Sequence, residues 1–313
     1  MSGLDRLGEF GLIAAIRSSF RSPDGVCGIG DDCAVIPQHG GMETLVSTDM
    51  LMEGTHFLIE DVDPEQLGWK SAAVNISDIA AMGGSPLGSF LAFALPPTLS
   101  QEWVDKFMAG FREAAEAYSF PLLGGDTTSS PDRLCICVTV LGQAPEGSSL
   151  KRSSARPGDG IFVTGTLGDS GCGLESILRG YDRDPYLVAR HYRPTPRLAE
   201  GKLLLECGHV HAMMDISDGV GSDLRHIMEE SGAGAEVDLD KLPISDCARR
   251  FCAAHSLDPV DMALCGGEDY ELLFTADPSA ELPVECTMIG RITEGGELLW
   301  KGSDKDYIGF RHF

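Results

Sequence analysis

Ser47 and Thr48 close an apolar run that begins at Thr44, Asp49 follows them directly, and a turn at Gly54 carries His56 just beyond. Strand ends are where α/β enzymes place reactive groups, and the oxygens of Ser, Thr and Asp are hard ligands suited to Mg²⁺. Further carboxylates recur in similar settings: Gly30-Asp31-Asp32, Asn75-Ile76-Ser77-Asp78, Gly124-Gly125-Asp126, Asp215-Ile216-Ser217-Asp218 and Gly266-Gly267-Glu268-Asp269. Taken singly, each Gly-Asp pair reads as a turn or a helix cap. Two carboxylates about 5 Å apart repel by roughly 3 kcal/mol at an effective dielectric of 20. Five or six in one pocket would outweigh a typical domain stability of about 5–15 kcal/mol. The acids are therefore either scattered and solvated or held together by cations. Ser-Thr-Asp at a strand end, with Asp-x-x-Asp at a helix start, favours convergence on magnesium and nucleotide phosphates.

The chain of 313 residues is long enough for two cores, and 43% hydrophobic with 23% charged residues is ordinary for a globular protein. Its net charge of −24, from 24 basic and 48 acidic residues, is not ordinary. Such a balance argues against nucleic acid or an anionic membrane as partner, since both need a basic footprint. Solubility explains part of the charge but not why so many carboxylates sit beside glycines. The ten cysteines show no C-x-x-C pair, and Cys135 and Cys137 lie in an apolar run like small core residues. Reduced thiols in a cytoplasmic protein fit this usage better than a disulfide or zinc scaffold. The start, Met-Ser-Gly-Leu-Asp-Arg, lacks the pattern of a signal peptide. The longest apolar run, around residues 89–95, falls far short of the roughly 18 needed to span a membrane.

Elements follow from spacing. Residues 5–20 show a helical stripe of Leu7, Phe10, Ile13 and Ile16. A glycine turn from Gly28 leads into a short strand ending at Ile36. Leu45–Thr48 is a strand, and Leu58–Glu60 is a candidate second one. A helix runs from Pro64 to Met82 and stops at Gly83-Gly84. Ser89–Leu95 is a strand, and Ser100 caps a helix reaching Tyr118. A short strand and turn, Pro121–Asp126, precede Leu134–Gly142, whose lack of polar relief predicts a strand covered on both faces. Ala144–Lys151 is the clearest boundary, rich in Pro, Gly and Ser. Past it come strands at 159–164, 212–216, 235–239, 270–275 and 287–291, with helices from Leu174, through Cys207, from Ser217 to Ser231 and from Ser245 to His255. Gly165–Gly173 reads as a tight strand–helix turn rather than a phosphate loop. This alternation predicts a mixed α/β (α+β) protein with halves at 1–147 and 148–313.

No Walker A loop, protein-kinase signature, H-E-x-x-H or G-x-S-x-G occurs. The ordered set Gly28-Ile-Gly-Asp-Asp32, Ser47-Thr-Asp49 with His56, Asn75-Ile-Ser-Asp-Ile-Ala-Ala-Met-Gly83, Gly124-Gly-Asp126, Asp215-Ile-Ser-Asp-Gly219 and Gly266-Gly-Glu-Asp-Tyr-Glu-Leu272 resembles the thiamine-monophosphate kinase family and spans nearly the whole chain. That family belongs to the ATP-binding superfamily of aminoimidazole ribonucleotide synthetase and selenophosphate synthetase. The resemblance implies that superfamily's two-domain fold: an N-terminal mixed sheet through which a homodimer forms, and a C-terminal α/β domain completing the active site. It also implies a cytoplasmic enzyme with two substrates, ATP and thiamine monophosphate, and several Mg²⁺ ions. The reaction implied is direct in-line transfer of the ATP γ-phosphate, giving thiamine diphosphate.

The resemblance further implies Asp31, Ser47, Thr48, Asp49, Asp78, Asp126, Asp215 and Asp218 as magnesium ligands. Gly125, Asp126, Arg152 and Ser217 would hold ATP, with Gly125 letting the nucleotide approach the backbone. Asp126, Arg152 and Asp215 would act in catalysis, and His56, Glu268 and Phe310 would face the acceptor. An acidic group and an aromatic face suit the positive thiazolium ring. Phe310 reads equally as a packed C-terminal anchor; relatives often carry tryptophan there, and an aromatic where Met108 stands. The acceptor phosphate is already ionised near neutral pH, its second pKa being about 6, so no general base is required. Two other readings remain at this point. One is another enzyme of the superfamily, such as selenophosphate synthetase, though Cys27 and Cys33 have no adjacent Lys and the tail ends in His312-Phe313. The other is a binder of magnesium or nucleotide without turnover.

Overall fold

The computed structural model describes residues 3–19 and 22–310, with side chains from residue 11 onward. In chain order the elements of the first half are α1 (Gly3–Ser19), β1 (Ala34–Pro37), β2 (Met42–Met52), α2 (Pro64–Ala81), β3 (Ser85–Leu95), α3 (Gln101–Ala117), β4 (Leu122–Ser129) and β5 (Cys135–Pro145). The second half contains β6 (Gly160–Thr164), α4 (Asp169–Arg179), α5 (Pro185–Tyr192), α6 (Leu198–Cys207), β7 (Val210–Asp215), α7 (Val220–Ser231) and β8 (Gly234–Asp238). It ends with α8 (Asp246–His255), α9 (Pro259–Cys265), β9 (Leu272–Ala276), β10 (Cys286–Thr293) and β11 (Leu298–Lys301). None of the described helices is long and apolar enough to cross a membrane.

Two mixed sheets organise the chain. The first has strand order β1-β2-β5-β3-β4, antiparallel except for the parallel β3–β4 pair. The second runs β11-β8-β10-β6-β9-β7, antiparallel except for β11–β8. Helices α2 and α3 cover one face of the first sheet. Their backbones touch, because a Cβ on Gly68 would lie 1.9 Å from the Phe107 carbonyl and one on Gly110 would lie 1.7 Å from that of Glu65. Only glycine permits that approach. The core between sheet and helices is filled by Leu67, Ile76, Ile79, Phe107, Phe111, Ile136 and Val138. Asp63 and Ser100 cap α2 and α3 by accepting from Glu65 N–H and Trp103 N–H.

Among the described residues the opposite face of the first sheet is bare, against the expectation of cover on both sides of β5. Buried Ile136, Val138 and Val140 alternate there with half-exposed Cys135, Cys137 and Thr139. The run looks fully buried because its outward residues, Cys and Thr, are small rather than charged. Met50 (55% exposed) and Phe90 (39%) lie on the same bare face. Leu58–Glu60 is a turn, not a strand: the Leu58 carbonyl accepts from the Asp61 and Val62 N–H groups. Of the N-terminal stripe, Ile13 and Ile16 are exposed, whereas the side chains of Leu7 and Phe10 lie outside the described residues, as do His312 and Phe313.

Candidate active site

The two halves meet along α2. This helix packs on β2 and β5 of its own sheet and on β7 and α6 of the other half. Ser77 near its C-terminal end donates to Asp215 Oδ2 at 2.5 Å, and Asp78 beside it accepts from Ser47 Oγ. Asn75, one turn earlier, accepts the Asp49 N–H at 3.1 Å. One helix therefore joins the end of β2 to the end of β7.

At this junction Asp32, Asp78 and Asp215 offer carboxylate oxygens that all lie within 4.8 Å of one another. Asp32 Oδ1 receives Arg152 Nη2 at 2.5 Å, while its Oδ2 is buried with no hydrogen-bond partner among the described residues. Burial and the neighbouring acids act together on the cluster. Burial, then the charge of Asp32, lifts Asp49 to about 6 and Asp215 to about 8. Burial and then Asp49 push Asp78 well above the usual carboxylate range. An orphaned carboxylate oxygen amid three converging acids fits a hard divalent cation, whose charge would offset the repulsion.

The expected residues divide into groups. Asp49, Asp78, Asp215, Ser217 and Asp218 line one cleft, and so do His56, Glu268 and Phe310. The cleft encloses about 600 Å³, a volume ordinary for a small-molecule site. Ser47 bonds to Asp78 beside it. Asp31 stands outside the triad: its Oδ1 caps the Arg152 N–H at 3.0 Å, and burial, then Asp32, raises it to about 7. Its neighbour Asp32, not singled out in the sequence, takes the central place. In a Gly-Asp-Asp pair at a turn, adjacent side chains diverge, and only the backbone path decides which points inward.

Thr48 borders the cleft too, but its side chain faces away from that of Asp49, as alternation on a strand requires. Its Oγ1 bonds the Val138 carbonyl at 3.2 Å and lies 3.0 Å from Thr139 Oγ1. Asp126 is farther away. It sits on β4, the exposed edge strand, in register with Ala92, Cys137 and Met50 on successive strands. Three strand spacings put it about 14 Å from the end of β2, on the bare face. Gly125 is required by the fold itself: its φ is +154°, and a Cβ there would lie 1.8 Å from the Leu91 carbonyl of β3. Arg152 is tied to Asp32, yet its Nε is buried without a partner among the described residues, leaving a donor for an anion. Met108, on α3, packs against the first core.

Around the acceptor-side residues the loop 266–270 is sewn to the end of β7. Glu268 N–H donates to the Ser217 carbonyl at 2.6 Å and Tyr270 N–H to that of Ile216 at 2.9 Å. His56 Nδ1 accepts the Met52 N–H at 2.9 Å, which fixes the ring within its turn. The Phe310 N–H bonds the Asp218 carbonyl at 3.0 Å, so the half-exposed ring is anchored at the mouth of the cleft. Leu174, Ile177 and Leu178 of α4, together with Tyr192, add an apolar wall that the motifs did not reveal.

Comparison with known proteins agrees with this geometry. Residues 30–144 match the AIR synthase related protein, N-terminal domain, and residues 156–301 match the C-terminal domain of that family. The thiamine-monophosphate kinase of Aquifex aeolicus is 38% identical over 315 residues, covering 99% of each chain. That of Escherichia coli strain K12 is 40% identical over 328 residues, covering 98% of each. The structure of AaThiL complexed with AMPPCP and TMP superposes with a TM-score of 0.92 at 37% identity, covering 100% of this chain and 99% of that one. With both halves matched in order and relatives aligned from end to end, the chain belongs to the thiamine-monophosphate kinase family.

Proposed function

We propose that this chain transfers the γ-phosphate of ATP, in the presence of Mg²⁺, to thiamine monophosphate, releasing ADP and thiamine diphosphate. The observation that carries this reading is one cleft lined both by Asp49, Asp78 and Asp215 and by His56, Glu268 and Phe310. Both substrates are polyanions, and their mutual repulsion is the main barrier to meeting. Magnesium held by Asp32, Asp49, Asp78 and Asp215, with Ser47 and Asp218 beside them, would cancel that charge. Arg152, bonded to Asp32, would offer a guanidinium to a phosphoryl group, and Ser217 a hydroxyl at the cleft wall. The acceptor oxygen is already anionic, so the residues orient it rather than deprotonate it. One Ser-His contact borders the cleft, Ser170 Oγ at 3.1 Å from His191 Nδ1, but the serine is fully buried behind the wall and out of reach of a substrate.

Asp126 and Gly125 belong to the same proposal through a homodimer. The bare face of the first sheet, with Met50, Phe90 and the edge strand β4, is the surface through which two copies would pair. Asp126 would then serve the acid cluster of the partner subunit. The halves divide at 147/148. A cytoplasmic setting belongs to the same reading.

The test is release of ADP with thiamine monophosphate against thiamine as acceptor. Turnover with thiamine monophosphate alone, abolished by chelating Mg²⁺, is the expected result. ADP release that ignores thiamine monophosphate would overturn the assignment. So would a labelled phosphoprotein that forms from ATP and discharges to the acceptor, since it would replace direct transfer by two steps.

A further inference from the structure

A lysine with no exposed surface reaches from the first half into the wall of the cleft. Lys70 lies four and eight residues before Val74 and Asp78 on α2, so the three share one helical face, and the latter two line the cleft. Its Nζ is 2.9 Å from each of Glu268 Oε1 and Oε2, straddling the carboxylate. Nζ also lies 3.5 Å from His191 Nε2 and 5.9 Å from the centre of the Tyr192 ring. His191 in turn places Nδ1 3.2 Å from Glu268 Oε2 and 3.1 Å from Ser170 Oγ. A neutral ring protonated on Nδ1 donates to Ser170 Oγ and accepts from the ammonium through Nε2, with the carboxylate close beside it.

Glu268 itself is held in a rare conformation. Its φ is +55°, a left-handed value that a residue with a side chain keeps only when its surroundings dictate it. The backbone is fixed by the Ser217 carbonyl and the side chain by Lys70.

We propose that Lys70 is a positioning residue for the acceptor: it holds the Glu268 carboxylate in one orientation in the cleft, as a charge-compensated hydrogen-bond acceptor rather than a free negative charge. This rests on the reading that thiamine monophosphate is the acceptor. It also changes what Glu268 offers. With the ammonium 2.9 Å away, the pair is neutral as a unit, so Glu268 selects a ligand by where its donors point, not by net charge.

The groups facing Glu268 are Lys70 from α2, His191 and Tyr192 from α5, His56 from the turn after β2, and Tyr270 from its own loop. Burial raises the carboxyl, but Lys70, then His191 and His56, outweigh it and hold it below its ordinary value. Without Lys70, burial dominates and the carboxyl takes a proton at a higher pH. A lysine that merely tied the two halves together would shift Glu268 in the same way but would not make the acceptor KM follow that shift while the KM for ATP stayed put.

The experiment is Lys70→Met in the full chain, with each substrate varied in turn from pH 5.5 to 8.5. The expected result is an acceptor KM raised about tenfold or more, the scale for removing one partner of a buried charged pair, and rising further toward acid. The KM for ATP should move less than about twofold, and Lys70→Arg should restore the flat profile in part. In Lys70→Met/Glu268→Gln the acid-dependent rise should vanish. An acceptor KM unchanged across pH, or both KM values raised alike with no pH dependence, would overturn the proposal. Should Lys70→Met fail to fold, binding of thiamine to the wild type serves: affinity flat from pH 6 to 8 supports it, and a fall of about tenfold toward acid overturns it. A wild type that releases no ADP with thiamine monophosphate would instead sink the acceptor assignment itself.

Discussion

Asp78 and Asp215 stand in different halves of the chain, 137 residues apart in number, yet their carboxylate oxygens lie within 4.8 Å of each other. Ser47 and Ser77 bond one each, and the orphaned Asp32 Oδ2 completes the group. Such an arrangement is unfavourable while all three are ionised, and the raised Asp78 and Asp215 carboxyls are its consequence.

The neighbours Asp31 and Asp32 should therefore respond differently. Asp32→Asn removes a charge from the triad and is expected to lower Mg²⁺-dependent kcat by about 100-fold or more, the scale of losing a preorganised charge-stabilising contact. Asp31→Asn keeps an oxygen for the Arg152 N–H and should stay within about tenfold of wild type. Steady-state rates over a Mg²⁺ titration decide it. The reverse ranking would put Asp31 at the centre instead.

The contact of α2 with α3 positions Lys70, Ser77 and Asp78 together, because all three ride on α2. Gly68→Ala would drive a methyl to 1.9 Å from the Phe107 carbonyl, and backbone cannot give way as a side chain can. The expected cost is about 2–4 kcal/mol from overpacking. Denaturant unfolding should show an earlier midpoint with unchanged slope. An unshifted midpoint would mean that the helices separate at little cost.

The sequence disclosed those features that depend on local spacing and hid those that depend on the path of the chain. Ser100, Tyr118, Ser245 and His255 bound their helices as caps and last turns should, since a cap is a matter of a few adjacent residues. Pro185–Tyr192 and Pro259–Cys265 were not legible as helices, being too short for a periodic stripe, although Asp184 and Asp258 cap them with Pro at the next position. For the site, the run of Gly-Asp motifs indicated carboxylates but not their directions. That the Thr48 side chain faces the bare side, that Asp126 lies on an edge strand and that Asp32 rather than Asp31 converges with Asp78 and Asp215 follow from register and turn geometry. Lys70 was invisible for another reason: on a helix of largely apolar residues, one lysine looks like the solvent-facing residue.

Asp126 gives a test of the two-copy site. If it serves the partner subunit, Asp126→Asn and Asp215→Asn chains are each inactive alone but complement when mixed. Random pairing makes half the dimers heterodimers, each with one intact site, so about a quarter of wild-type activity should return. Co-expression with two tags measures this: the unfractionated mixture should show about a quarter, and the doubly tagged fraction, all heterodimers, about half of wild-type activity. If both ligands serve the same chain's site, no activity returns on mixing.

His191 carries the remaining prediction, for stability against pH. Burial first, then the charge of Lys70, lowers it to about 3 despite Glu268. The unfolded chain, with an ordinary value near 6.5, takes up the proton first as the medium is acidified. The contribution is thus complete above about pH 6.5 and is lost progressively as pH falls from there toward 3. At pH 5 the loss from this one group is about 2 kcal/mol. His226, lowered to about 4 by burial and then Arg152, acts in the same direction but is common to any pair of variants compared at residue 191. His191→Gln should consequently lose less stability between pH 7 and pH 5 than the wild type, by about 2 kcal/mol in urea unfolding, even if it is less stable at neutral pH. Parallel pH profiles for the two proteins would show that the ring is protonated in the folded state and that Lys70 and Glu268 are arranged around a cation instead.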